Sequence, residues 1–285
     1  MGIGVEIKNL KKAINGFQLG PLDLQFEAGT ITAIVGKNGA GKSTLAKLLM
    51  NLAKPDAGEI VIEGEQVSFF IENWKRKIAY QPQSLLGCNA FNGSELKGLI
   101  APLYPSWDEE LFQHLVKVFD IPLNKSYGKL TPGVQQQLNL ALTLPRDTDV
   151  LLLDEPTAHM DIPAKQLLTE ELVSWMERGE KTMIIVSHQV EDIRKLADYI
   201  VIIHKGQVVE KATKDELVQS YKRYWMEQPL PEEPITAEIE RKNNHVFISN
   251  EPISTEEYLT NKGMHWLQTE PLELDEIISL LMKEK

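Results

Sequence analysis

The sequence predicts an α/β fold in which short buried strands lead into loops and helices. Residues 30–35 (TITAIV) are β-branched and apolar, as expected of a buried strand. Leucines at helical spacing over residues 45–52 indicate a helix soon afterwards. A second apolar run, at residues 150–153, ends in two acids. Strand, loop and helix therefore follow one another in the order that an α/β fold requires.

The loop between the first strand and its helix matches the pattern G-x-x-x-x-G-K-[ST]. Its glycines allow the backbone N–H groups to surround a phosphate, and the helix after it points its N-terminus at the same place. The lysine can reach β- and γ-phosphates, and the serine hydroxyl can bind Mg²⁺. A glycine-rich turn that matches by chance is the alternative. The phosphate-binding candidates are Gly36, Lys37, Asn38, Gly39, Ala40, Gly41, Lys42, Ser43 and Thr44.

Asp154 and Glu155 end the second apolar run. Carboxylates at the end of a buried strand are costly unless they meet a cation or a proton. We assign Asp154 to Mg²⁺, through water, and Glu155 to polarising the water that attacks a γ-phosphate. The alternative is a strand that simply ends in a solvated acidic turn. The presence of the phosphate loop in the same chain argues against this alternative.

With these motifs, residues 3 to 220 resemble the ATP-binding subunit of an ABC transporter. The resemblance implies a P-loop NTPase (RecA-like) core with an antiparallel β subdomain and a helical subdomain, and it implies ATP and Mg²⁺ as cofactors. Asp161 is similar to the family's D-loop aspartate, and His188 to the histidine that contacts the γ-phosphate. The alternative for His188 is a structural or surface histidine.

Residues 80–83 (YQPQ) resemble the family's Q-loop, whose glutamine senses Mg²⁺ and the γ-phosphate. We prefer Gln83 to Gln81 because the family's glutamine commonly follows an aromatic-x-Pro step. Either residue could instead be an ordinary loop amide.

Residues 130–137 (LTPGVQQQ) occupy the place of the family's signature, usually L-S-G-G-Q. Thr131 keeps the hydroxyl and Gly133 the flexible backbone, but Pro132 has no N–H to donate. In the family this loop closes over the nucleotide of a second subunit. We therefore expect slow hydrolysis. The alternative is a plain helix start with Thr131 as its N-cap.

The family's adenine-stacking aromatic has no clear counterpart in this chain. Residues 13–17 (AINGF) occupy the loop in which it usually lies. Phe17 could stack on the base, or it could be an inward-facing strand residue, and the sequence leaves both interpretations open.

We expect two domains, an ATP-binding domain at residues 1–220 and a small α/β appendage at residues 221–285. Within the first, residues 84–140 read as a helical subdomain, with a capping box at Ser106 and Glu109 opening one helix. Pro229, Pro231 and Pro234, with Glu232 and Glu233, read as a stiff acidic linker. A regulatory or dimer-stabilising role for the appendage competes with plain packing.

Composition excludes several classes of protein. The net charge of −11 argues against nucleic acid as a partner. Apolar runs are far shorter than the ~20 residues that cross a bilayer, and no signal peptide pattern is present. Because Cys88 is the only cysteine, an internal disulfide is excluded. We expect a cytoplasmic protein.

The resemblance implies two partners: a separate transmembrane permease and a second ABC ATPase subunit, in a homodimer or a heterodimer. Residues 103–112 (LYPSWDEELF) resemble exporter ATPases for drugs, polysaccharides or peptides. Through the permease, the protein would lie on the inner face of the cell membrane. The alternatives are a nucleotide-gated regulatory or immunity protein with little hydrolysis, or a non-transport ABC ATPase of translation or DNA repair.

Overall fold

The computed structural model describes residues 2–190 and 194–283. The chain divides into two compact units, residues 1–210 and 211–285, so the division lies before the boundary expected at residue 220. None of the described helices is both long and apolar enough to span a membrane.

A six-stranded sheet forms the centre of the first unit. Its strands lie in the order β10-β9-β3-β8-β7-β6, and β6, β7, β8, β3 and β9 run parallel. Strands β3, β7 and β8 are buried along their whole length, which explains their continuous apolar sequences. The bounds are β3 (Ile31–Val35), β6 (Ile78–Gln81), β7 (Val150–Asp154), β8 (Thr182–Ser187), β9 (Tyr199–His204) and β10 (Gln207–Thr213).

An antiparallel sheet packs beside it. This sheet has the order β2-β1-β4-β5, with β1 (Ile3–Ile14), β2 (Phe17–Glu27), β4 (Ala57–Ile62) and β5 (Glu65–Gln66). Its apolar face and one face of the central sheet enclose helix α1 (Lys42–Leu49) in a common core. The helix ends earlier than the leucine pattern predicts, and Leu52 lies beyond it with 67% of its surface exposed.

Helices cover the other face of the central sheet. They are α2 (Gly93–Ile100), α3 (Glu109–Val118), α4 (Pro132–Ala141) and α5 (Ile162–Met176), and they share a second core with the sheet. The capping box predicted at Ser106 is wrong. Asp108 is the N-cap of α3, because its side chain accepts a hydrogen bond from Leu111 N at 2.8 Å.

The second unit is a separate small α/β structure. Its antiparallel sheet has the order β12-β13-β11-β14, with β11 (Lys222–Met226), β12 (Glu238–Asn243), β13 (Val246–Ser249) and β14 (Trp266–Pro271). Helices α6 (Lys214–Ser220), α7 (Pro252–Asn261) and α8 (Leu274–Leu281) complete it.

The proline-rich segment predicted as a linker lies inside this second unit. Ile235 is 3% exposed and packs in the unit's core with Tyr224 and Phe247. Arg241 also donates a hydrogen bond to Pro231 O at 2.6 Å. These contacts make the segment an ordered loop between β11 and β12, and correct the interpretation as a linker.

Candidate active site

The phosphate loop connects β3 to α1 as the sequence predicts. Gly39 and Gly41 have φ values of 82° and 111°, a backbone conformation that residues with a Cβ rarely adopt. At Gly36 an added Cβ would lie 2.3 Å from the carbonyl oxygen of Ile203 on β9. The glycines are therefore needed both for the curl of the loop and for its close approach to the central sheet.

Lys42 folds back onto its own loop. Its Nζ donates to Gly36 O at 2.7 Å and to Lys37 O at 3.2 Å, and the residue is 6% exposed. Burial lowers the pKa of this ammonium, against the opposing effect of Glu155 and Asp154. The loop thus holds a cation close to the position predicted for phosphate.

Asp154 and Glu155 are both buried where β7 ends, at 7% and 8% exposure. Burial, and then the neighbouring charge of Glu155, raises the pKa of Asp154 to about 6. Tyr80 on the adjacent strand β6 makes a hydrogen bond to Asp154, and burial raises the pKa of the Tyr80 phenol as well. A desolvated carboxylate of this kind favours a cation.

His188 and Ser187 both contact Glu155 from the end of β8. His188 Nδ1 lies 2.7 Å from Glu155 Oε1, and the Ser187 hydroxyl donates to Glu155 Oε2 at 3.1 Å. The backbone N–H of His188 also points at Oε2, at 3.4 Å. Glu155 itself has a left-handed backbone, with φ of 51°. These contacts fix the direction of its carboxylate.

A cavity of about 600 Å³ lies in front of these groups. It brings together the phosphate loop, the candidate acid–base residues and the preferred Q-loop glutamine. Its lining residues are Ile14, Phe17, Asn38, Gly39, Gly41, Lys42, Ser43, Thr44, Gln83, Glu155 and His188. Gln81, the alternative to Gln83, does not line this cavity. It is fully buried on the helix-covered face of the sheet, where its side chain donates to Gln136 of α4.

The edge of this cavity is apolar. Phe17 packs against the first core, as an inward-facing strand residue would, and it also lines the cavity, as a base-stacking residue would. Ile14 pairs with Phe17 across the Asn15-Gly16 turn and is 38% exposed. Sequence reasoning missed Ile14; the short turn beside Phe17 was the available signal, because hairpin partners lie side by side.

The signature and D-loop candidates lie at a different cavity, of about 410 Å³, whereas Gly36, Lys37, Ala40 and Asp154 line neither cavity. Thr131, Pro132 and Gly133 line it together with Asp161. Thr131 is the N-cap of α4 with Pro132 in its first turn, and Asp161 caps α5 by accepting from Ala164 N at 2.9 Å. Within one chain, these residues and the phosphate loop therefore line separate cavities.

Three candidate Mg²⁺ ligands carry oxygen: Ser43, Gln83 and Asp154. A hydroxyl, an amide carbonyl and a carboxylate are donors that Mg²⁺ prefers. Burial raises the pKa of Asp154, and a nearby cation would offset the cost of its charge. The residues present therefore fit this ion. Among residues 2–190 and 194–283, no group of three or more His, Cys, Asp or Glu side chains could hold a metal by itself.

Comparison with known proteins points to the same family as the sequence motifs. A family model described as "ABC transporter" matches residues 19–158. The chain is 28% identical over 218 residues to the ABC transporter ATP-binding protein YtrB of Bacillus subtilis, covering 76% of this chain and 74% of that one. It is 30% identical over 237 residues to the Nod factor export ATP-binding protein I of Burkholderia orbicola, covering 76% and 73%.

Relatives of the opposite transport direction also match. The methionine import ATP-binding protein MetN 2 of Staphylococcus epidermidis is 28% identical over 212 residues, covering 70% of this chain and 61% of that one. Among solved structures, an ATP-binding subunit of an ABC transporter superposes with a TM-score of 0.68 at 24% identity, covering 75% of this chain and 92% of the other. The predicted fold class is thereby confirmed.

Proposed function

Because this chain belongs to the ABC transporter family of ATP-binding proteins and is an ATPase of that family, we propose that it powers a separate membrane permease. In this proposal two subunits associate around two ATP molecules. The observation that carries it is the division of the site: Lys42, Gln83, Glu155 and His188 line one cavity, and the signature residues line another.

ATP binding begins with an exchange of partners at Lys42. The ammonium, now held by Gly36 O and Lys37 O, moves to the β- and γ-phosphates, while backbone N–H groups of the loop surround them. Ser43, Asp154 and Gln83 would hold Mg²⁺, which neutralises developing phosphate charge when it is bound. The apolar edge formed by Ile14 and Phe17 is placed to receive the base.

Glu155 is the group that polarises the attacking water. In the present arrangement its carboxylate is occupied by His188 and Ser187, so it faces these groups rather than a free water. We propose that a γ-phosphate draws His188 toward itself. This releases one carboxylate oxygen to accept a proton from water, and His188 then keeps contact with the phosphate.

The second cavity suits the partner subunit's nucleotide. Thr131 offers a hydroxyl and Gly133 a backbone N–H at the start of α4, while Asp161 holds the adjoining turn by capping α5. The two cavities of one chain would thus serve two different ATP molecules, which makes association a condition of hydrolysis. Two identical copies are the simplest assembly, and a related second chain would meet the same requirement.

We propose export as the direction of transport, with the protein on the inner face of the cell membrane through its permease. Residues 103–112 resemble exporter ATPases, and the Nod factor export relative points the same way. The methionine import relative points the other way, so direction rests on residues 103–112. When the tagged chain is purified from membranes of the cells that produce it naturally, a membrane protein with several transmembrane segments should copurify with it.

A nucleotide-gated regulatory role with little hydrolysis is the second candidate. Pro132 favours it, because the first residue of α4 has no N–H to offer a phosphate. Both candidates bind ATP, so affinity alone does not separate them.

The deciding experiment compares the wild type with Glu155→Gln. The proposal expects the substitution to abolish steady-state ATP hydrolysis and to leave a stable dimer at saturating ATP and Mg²⁺, measured by sedimentation velocity. A matched control is Glu177→Gln, an exposed residue just after α5, which should change neither quantity. Equal hydrolysis in the wild type and Glu155→Gln would contradict the assignment, and a Glu155→Gln protein that stays monomeric would contradict the motor.

A further inference from the structure

Strand β14 lies at one edge of the sheet in the second unit. Among the described residues it pairs with β11 alone. An unpaired edge presents backbone N–H and C=O groups that a further strand can join. Pro271 closes one end of β14 because it has no N–H, and the register with β11 shifts between Gln268 and Trp266. We call the remaining stretch, residues 266–269, the free edge.

The alternation of hydrogen bonds identifies which backbone groups face away from β11. Just beyond the two strands, Leu272 N donates to Tyr221 O at 3.2 Å. In an antiparallel pair, opposite residues alternate between hydrogen-bonded and non-hydrogen-bonded. Thr269 lies three residues before Leu272, opposite Tyr224, and therefore belongs to a non-hydrogen-bonded pair. Its N–H and C=O point away from β11, toward the free edge.

A groove of about 570 Å³ lies between helix α7 and the start of the free edge. One face of α7 lines it, with residues at helical spacing, and Trp266 of β14 completes the lining. Trp266 packs on the core of the second unit, with its ring 6.2 Å from that of Tyr224. The helix residues are Ile253, Glu256, Glu257, Thr260 and Asn261. Trp266 thus belongs to both the groove and the free edge.

The groove carries a carboxylate that has no partner. Glu256 is held by Lys222, whose Nζ lies 2.8 Å from its Oε1. Glu257 is exposed and makes no ion pair with any residue that the structure describes. Lys262, the next basic residue along the chain, lies 5.8 Å above the Tyr258 ring and does not line the groove. A cation from outside the unit would therefore complement Glu257.

A free strand edge beside a groove is the arrangement that binds an extended peptide as an added strand. Backbone hydrogen bonds attach the peptide, and its alternate side chains enter the groove. A second copy of this chain, joined edge to edge, fits poorly because β14 (WLQTEP) contains no lysine or arginine to meet Glu257. At the other end of the groove, Ile253 is 77% exposed and suits an apolar side chain.

We propose that the second unit binds an extended segment of another protein along β14. The segment directs a basic side chain to Glu257 and an apolar side chain to Ile253, while its backbone pairs with that of Thr269. The inference concerns the second unit alone and does not depend on the proposed function.

The test measures peptide binding to the full chain without nucleotide. The probe is a fluorescein-labelled octapeptide of sequence TRTVTRTV, which as a strand places arginine and valine on one face and threonine on the other. Fluorescence anisotropy gives its Kd. Replacing both arginines by glutamate should raise the Kd at least about tenfold, because repulsion replaces attraction at Glu257.

N-methylated peptides separate an added strand from attraction between charges. Alternate residues of a strand direct their N–H groups to opposite sides. Methylating the nitrogens of arginine and valine, or instead those of threonine, should therefore give opposite results, with binding lost in one peptide and kept in the other. Equal affinity of the two methylated peptides would show that no strand is added.

Thr269→Pro tests the same contact from the protein side. It removes the N–H at the free edge, a position where an edge strand tolerates proline. The Kd for TRTVTRTV should rise at least about fivefold, as for the loss of one hydrogen bond. Thr269→Val is the matched control, since it keeps the N–H, and its Kd should stay within about twofold of the wild type.

Glu257→Gln tests the charge. Its Kd should rise about 1.5- to 5-fold, the range for an exposed ion pair, and the difference from the wild type should shrink at high salt. Glu232→Gln is the control, because Glu232 is an exposed acid of the same unit that does not line the groove.

Several results would overturn the inference. These are the absence of saturable binding up to about 1 mM peptide, and equal affinity for the arginine and glutamate peptides. A nucleotide-free dimer that Thr269→Pro dissociates, in a chain that does not bind the peptide, would assign the free edge to a second copy instead. If Thr269→Pro lowers the thermal stability of the second unit, the methylated peptides decide. None of these results bears on the proposed function, since nucleotide is absent throughout.

Discussion

At the scale of single residues, Asp154 shows how burial and a neighbouring like charge raise the pKa of a carboxyl group. The same carboxylate lies behind Lys42, beside Glu155 and against the Tyr80 phenol. A raised pKa means that the folded protein holds this proton more tightly than the unfolded chain does. The proton stabilises the fold below the ordinary carboxyl pKa, and that contribution is lost as the pH rises through about 6.

We therefore predict that Asp154→Asn stabilises the nucleotide-free protein above pH 6. The gain should be about 2 kcal/mol, because the neutral amide avoids the cost of the buried charge. The gain should fall as the pH drops and should vanish below about pH 3, where the carboxyl is neutral in both states. Urea unfolding in EDTA from about pH 3 to about pH 8 measures it.

Asp120→Asn provides the comparison for this prediction, because Asp120 is exposed and has a left-handed backbone conformation, which asparagine tolerates. Its stability should be insensitive to the substitution throughout this range. A pH-independent gain in Asp154→Asn would show that the effect does not arise from the ionisation of Asp154.

Single motifs were the most predictable part of the site. The phosphate loop and the two acids after β7 are contiguous in sequence, so local pattern alone indicated their chemistry. Contacts of Tyr80 and Ser187 depend on strands that are distant in sequence, and a pattern of residue types does not specify which strands become neighbours. These two residues emerged only from the fold.

At the scale of elements, the start of α4 carries the clearest departure from the family pattern. Pro132 occupies the first turn, where its fixed φ suits a helix. In the proposed dimer, the same ring removes an N–H that would otherwise be available to the partner's phosphate at the second cavity. Local helix stability and phosphate binding therefore favour different residues at this position.

Pro132→Ala should strengthen the ATP-dependent dimer. Alanine restores the N–H, and a hydrogen bond to a charged phosphate contributes about 1–3 kcal/mol, which corresponds to roughly 5- to 150-fold in the dimer dissociation constant for each site. Sedimentation equilibrium of Pro132→Ala in the Glu155→Gln background, with ATP and Mg²⁺, measures the change.

Pro252→Ala makes the same substitution at the first turn of α7 in the second unit. That protein should dimerise as its parent does. An unaltered dissociation constant for Pro132→Ala would mean that this position does not face the partner's phosphate.

Helix ends were predicted less well than helices. Periodicity placed α1 and α3 correctly, but α1 ends at Leu49 and α3 is capped by Asp108. In both cases several residues compete for the same terminal role. Ser106 and Asp108 both have a side-chain acceptor, and the fold decides which one meets a free N–H.

At the scale of the whole molecule, the chain consists of two units that each have a core of their own. In the second unit, Phe247 stacks on Tyr224 with ring centroids 5.1 Å apart, and both rings are 0% exposed. Unfolding of each unit can therefore be recorded separately if their transitions do not coincide.

We predict that Phe247→Ala lowers the stability of the second unit by about 3–5 kcal/mol, because a buried ring is replaced by a cavity. Calorimetry with saturating ATP and Mg²⁺ should show one transition raised by nucleotide and a second lowered by the substitution. Phe69→Ala, at a ring that is 81% exposed, should shift neither transition. A single calorimetric transition that is shifted both by nucleotide and by Phe247→Ala would contradict independent unfolding of the two units.

The organisation of the second unit was the hardest feature to predict. Its hairpin turn at Asn243-Asn244 and the helical spacing of apolar residues over 274–281 are local patterns, and both elements are present. The proline-rich loop between β11 and β12, in contrast, was assigned to a linker. Composition describes the flexibility of a segment in isolation, whereas Ile235 is fixed by a core formed from residues on either side of it.

The folded-back position of Lys42 has a consequence for the empty protein. Because Lys42 Nζ donates to two carbonyl oxygens of the loop itself, its charge has hydrogen-bond partners even while no nucleotide is bound. The loop can keep its shape between turnovers, and within the loop the binding of a triphosphate requires the Lys42 side chain to rotate. Resting molecules should consequently resist proteases at this loop even after all nucleotide has been dialysed away.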